Sequence, residues 1–149
     1  MSADTVLNSI VINTSNPLDI TLDEAEDIAK AVRGLNLNCE VRVAVTQRTG
    51  YGITWFELLR FSLEAGALWA GKTFAEEVAK KLADVAVDWA RERFKGRKSE
   101  SKRPVHVAIY GPDGLIKSVV VKNATDEPED RTEQEQQLAK NAKAKAKAT

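Results

Sequence analysis

The chain has 149 residues, 43% of them hydrophobic and 30% charged, the composition of a globular domain and not of a disordered or fibrous chain. Twenty-two Lys and Arg balance 22 Asp and Glu, so no overall field steers the protein toward nucleic acid. One cysteine, Cys39, and one histidine, His106, exclude an internal disulfide and any multi-histidine metal site. The length suits a single core of about 122 residues followed by a charged tail over 123–149. No charged-then-apolar leader opens the chain, which sets the cytoplasm as the expected compartment.

In chain order, Val6 to Ile12 is rich in β-branched residues and stops at Asn13-Thr14-Ser15-Asn16-Pro17, which predicts a strand and a turn. Thr21-Leu22-Asp23-Glu24 is a capping box that opens a helix. Leu22, Ala25, Ile28, Ala29 and Val32 recur at helical spacing, and Gly34 closes the element. Val41, Val43 and Val45 alternate with polar positions, as in a strand with one buried face. Strand, helix and strand over this span make a βαβ unit with parallel strands.

Two further capping boxes, Thr54-Trp55-Phe56-Glu57 and Thr73-Phe74-Ala75-Glu76, predict a long helical region from Thr54 to Phe94. Gly71 suits either two helices or one helix kinked there. Phe74, Val78, Leu82, Val85 and Trp89 form the apolar stripe of its second half. Arg91 to Arg103 carries seven basic and two acidic residues. Val105 to Tyr110, the turn Gly111-Pro112-Asp113-Gly114 and Leu115 to Val121 then predict a β-hairpin with a bulge beside its turn. From Asn123 onward Leu138 is the only large aliphatic residue, and the chain ends in Ala-Lys repeats. Acidic residues precede lysines, so a helix from about Thr132 is compatible with its dipole. Lacking an apolar face, it is expected to be mobile or ordered by a partner. The expected fold is α/β (α+β), with about four strands covered by helices.

The stretch from Ile53 to Gly71 most needs explaining, because 12 of its 19 residues are apolar. Its length approaches a membrane span. Glu57, Arg60 and Glu64 oppose that, each costing about 2.5 to 3.5 kcal/mol at a bilayer centre, and helical spacing would pair Arg60 with both carboxylates. The segment is therefore expected to be a core helix packed across the sheet. Alternatively it is an oligomer or partner interface through Trp55, Phe56, Leu59 and Trp69, or a helix lying at a membrane surface.

Chemistry is sparse. His106 falls in a strand as a structural or surface residue, and Cys39 packs as a small apolar one. Glu57 and Glu64 read as an ion-pair ladder around Arg60. Arg48 to Gly52 lacks the ending of a phosphate loop and the spacing of a dinucleotide site, and no nucleophile elbow or kinase signature occurs. No catalytic, cofactor or metal residues are expected. Arg91, Arg93, Arg97 and Lys98 are candidate anion contacts, although cations at a helix end also stabilise its dipole.

In element order, and in the Gly111-Pro112-Asp113-Gly114 hairpin after a basic helix end, the chain resembles the effector-associated constant component family. These are small α/β proteins of bacterial conflict systems, thought to link a trigger to a separate effector. The resemblance spans roughly Val6 to Val121 and implies an adaptor role. The chain departs from that pattern in its longer helical region and charged tail. The expectation is thus a non-enzymatic interaction module, partnered by another protein or by itself through the apolar helix. An anionic membrane surface, met by helix 53–71 and the basic stretch 91–103, is the alternative. An enzyme centred on Glu57, Arg60, Glu64 or His106 ranks last.

Overall fold

A computed structural model describes residues 9–14, 20–37, 39–45, 57–64, 72–96, 103–112 and 114–148. These form strands β1 (Ser9–Thr14), β2 (Glu40–Val45), β3 (Glu57–Glu64), β4 (Val105–Gly111), β5 (Gly114–Val121) and β6 (Glu129–Asp130). Three helices accompany them: α1 (Leu22–Arg33), α2 (Lys72–Gly96) and α3 (Thr132–Ala148). The strands make one open mixed sheet in the order β2-β1-β3-β4-β5-β6, two more than the sequence suggests.

The first βαβ unit is present, with β1 parallel to β2 and Ile10 beside Val41. Its helix starts where the capping box places it. Glu24 N–H donates to the Thr21 hydroxyl oxygen at 3.2 Å, and Thr21 N–H donates to Glu24 Oε1 at 3.2 Å. Ala25, Ile28, Ala29 and Val32 are buried, whereas Leu22, first in the helix, is 51% exposed and lies off the stripe. Arg33 ties α1 to β2 by donating to the Val41 carbonyl at 2.9 Å.

The expected helix over 53–71 is overturned where the structure describes it, because Glu57–Glu64 is a strand. It lies between β1, to which it runs antiparallel, and β4, to which it runs parallel. Burial alternates along it, with Glu57, Leu59, Phe61 and Leu63 inward and Leu58, Arg60 and Ser62 on the other face. The same eight residues fit a helical spacing of charges equally well. Leucine also favours helices, so the propensity misleads, while pairing on both sides decides. A second βαβ unit, β3-α2-β4, results, and Gly71 precedes a helix that starts at Lys72. Among the described residues, no helix is long and apolar enough to cross a membrane.

Both α1 and α2 cover one sheet face, and the core lies between them. Ile10, Ile12, Leu59, Phe61, Val105, Val107 and Ile109 are buried from the sheet side. From α2 come Val78 and Leu82, as the stripe predicts, together with Ala79, Ala86 and Ala90, whose small side chains let the helix lie close to the strands. Val85 and Trp89 sit half-buried at the margin. The β4–β5 hairpin forms where Gly-Pro-Asp-Gly places it. Gly114 has φ 122°, a conformation that L side chains rarely adopt, and the ladder shifts register between Ile109 and Tyr110.

Candidate functional site

The opposite sheet face carries α3. On β4 and β5, Val107 and Val119 point to the core, so their neighbours His106, Ala108, Ser118 and Val120 point away from it. The first two turns of α3 are fastened there by polar groups. Ser118 N–H donates to the Thr132 hydroxyl oxygen at 3.0 Å, and the Ser118 carbonyl accepts from Arg131 N–H at 2.8 Å. Gln136 donates to the Leu115 carbonyl at 2.8 Å. Ahead of the helix, Asp130 accepts from Thr132 N–H at 2.9 Å and pairs with Lys117 at 2.6 Å. Burial alone would raise the Asp130 carboxyl, but Lys117 and both Thr132 hydrogen bonds hold it down at about 2.

Beneath this clasp lie His106, Ser118 and Glu135. The His106 Nε2 is 2.7 Å from Ser118 Oγ and 3.2 Å from Glu135 Oε2, while Ser118 Oγ donates to Glu135 Oε1 at 2.8 Å. Serine, histidine and carboxylate are also the parts of a nucleophilic triad, but the wiring here differs. The hydroxyl and the carboxylate converge on the same ring nitrogen. With the Ser118 proton given to Glu135, Nε2 must itself carry a proton to bond the hydroxyl oxygen, so it cannot act as that hydroxyl's base. Ser118 is also fully buried. Burial pushes His106 below its ordinary value, aided by the charges of Arg131 and Arg60 and opposed by Glu135. The cluster joins a helix to a sheet.

A second charged cluster sits on the core side. Arg93, near the end of α2, donates through two nitrogens to Glu57 of β3, one contact being 2.9 Å, and through Nε to Glu24 of α1. Arg93 and Glu57 are buried at 9% and 2% exposure. One Glu24 carboxylate thereby closes the capping box with one oxygen and binds Arg93 with the other. Burial would lower the Arg93 guanidinium, yet the two carboxylates hold it above its ordinary value. Arg93 also stacks over Trp89 at 5.6 Å.

The residues singled out in the sequence fall apart in space. Leu59 is fully buried in β3 and belongs to the core, not to an interface. Trp55, Phe56, Trp69, Arg97 and Lys98 lie outside the described residues. Arg93 is buried and taken by Glu57 and Glu24, so it is not the open anion contact expected, whereas half-buried Arg91 donates one N–H to the Asp126 carbonyl at 3.0 Å. Glu57, Arg60 and Glu64 form no ladder. Glu64 pairs with Arg42 at 2.9 Å, and Arg60 lies over the Tyr110 ring at 5.1 Å. Glu57 and Arg93 escaped sequence reasoning as partners because 36 positions separate them. Ser118 and Glu135 were missed because a buried polar position in a strand and a glutamate in a charged tail carry no local signal of pairing. Among the described residues, no group of three metal-ligating side chains occurs. No protein-family model matches the chain, and neither a curated protein nor a solved structure matches it.

Proposed function

We propose that the protein is a non-enzymatic adaptor that works by protein–protein contact and self-associates through α3. The observation that carries this reading is Leu138, which is 66% exposed in the middle of a helix fastened along another side. Thr132, Glu135 and Gln136 hold that side to β5, while every residue from Gln137 to Ala144 is exposed. A helix polar on all sides and uncovered over its later turns gains little from its own core, which suits an element presented to a partner. The occupant best matched is a second copy. Two copies packed antiparallel set their exposed Leu138 side chains against each other in one self-complementary contact.

The resemblance to effector-associated constant component proteins supports the adaptor reading, with a bacterial conflict system as its setting and the cytoplasm as the compartment it implies. The membrane alternative is the less supported reading, because Glu57–Glu64, within the helix it requires, is a strand. Light scattering on the full chain tests the proposal. A dimer is expected that Leu138→Glu converts to a monomer of unchanged circular dichroism. A protein that is monomeric at every concentration, or a dimer indifferent to Leu138→Glu, overturns it.

A further inference from the structure

A cleft of about 420 Å³ opens between the β4–β5 turn, the first turn of α2 and α3, within the usual size of small-ligand sites, roughly 300 to 1,000 Å³. We propose that it binds a small monoanion with an apolar body, of the class of a medium-chain carboxylate. Leu115, Ile116 and Ala139 supply apolar lining, and Lys140 and Lys143 stand on α3 at its rim. Their spacing of three puts both ammonium groups on one face of the helix, the face that also carries Ala139. Among the described residues neither lysine has an ion-pair partner. Among the described lining residues, Glu76 near the start of α2 is the one carboxylate against the two lysines, a balance of +1 that suits one anionic head. An apolar tail against Leu115 and Ile116 with its carboxylate between the lysines satisfies both halves of the site, whereas a cation of the same length meets the wrong sign.

Octanoate and octyltrimethylammonium, titrated into the full chain and followed by amide and methyl NMR shifts, test this. Octanoate is expected to give saturable shifts centred on Ile116 and Ala139, which the cation does not reproduce. Lys140→Glu with Lys143→Glu should weaken octanoate about tenfold, the scale of two surface charge contacts. Ala139→Phe, which fills the cleft from an exposed helix position, should abolish the shifts while circular dichroism is kept. No saturable response at millimolar octanoate, an equal response to the cation, or indifference to Ala139→Phe overturns the proposal. The outcome is separable from self-association, because a monomeric protein that binds octanoate keeps this site and loses the α3 interface.

Discussion

At the scale of single residues, the Glu57 carboxylate shows how far local pattern departs from role. It stands at the start of a strand, 2% exposed, where an isolated charge would be costly. The bidentate Arg93 contact makes its burial tolerable, and Glu24 accepts the guanidinium Nε–H. Such a pair contributes modestly against a hydrophobic replacement, but removing one member strands the other. Glu57→Ala or Arg93→Ala alone should therefore each cost about 3 to 5 kcal/mol, measured by urea unfolding. The double variant Glu57→Leu/Arg93→Met should lose far less than the sum of the two single changes. Additive losses would mean that the two residues are not coupled.

At the scale of elements, α3 is held by hydrogen bonds and not by an apolar stripe, which makes its attachment sensitive to protonation. His106 is held below its ordinary value of 6.5, first by burial. The unfolded chain therefore takes up a proton before the folded one does. Stability is fully present above about pH 6.5 and falls as pH drops through the lower folded value. Of the groups that face the ring beside Ser118, Arg131 and Arg60 add to that shift and Glu135 opposes it. His106→Gln should remove this part of the acid slope, read as chemical denaturation at pH 7 and pH 5. An unchanged slope in that variant would place the proton uptake elsewhere. The clasp also shows why the tail, which lacks an apolar face, still contacts the sheet. Ser118 offers its amide, carbonyl and hydroxyl to the segment that begins at Arg131.

Across the whole molecule, the strand β3 joins two βαβ units into one sheet, and Leu59 and Leu138 mark opposite fates for one residue type. Leu59 is fully buried at the centre, and Leu138 is 66% exposed on α3. Leu59→Ala should cost about 2 to 5 kcal/mol through lost transfer energy and a residual cavity, whereas Leu138→Ala should stay within about 0.5 kcal/mol. Both are read by urea unfolding, and only the second is expected to shift the solution mass.

Much of the architecture is legible in the sequence because its causes are local. The Thr21–Glu24 capping box starts α1, Gly111-Pro112-Asp113-Gly114 turns the hairpin, and the run of acidic before basic residues starts α3 near Thr132. Those signals involve neighbours within a few positions, so no partner across the fold is needed to make them. The identity of Glu57–Glu64 was not legible, since its eight residues satisfy helical and strand periods alike and only pairing with β1 and β4 selects the strand. The Arg93–Glu57–Glu24 and His106–Ser118–Glu135 clusters are likewise products of tertiary structure. Each gathers side chains from separate elements into positions where burial makes their hydrogen bonds obligatory, and no spacing along the chain encodes that convergence.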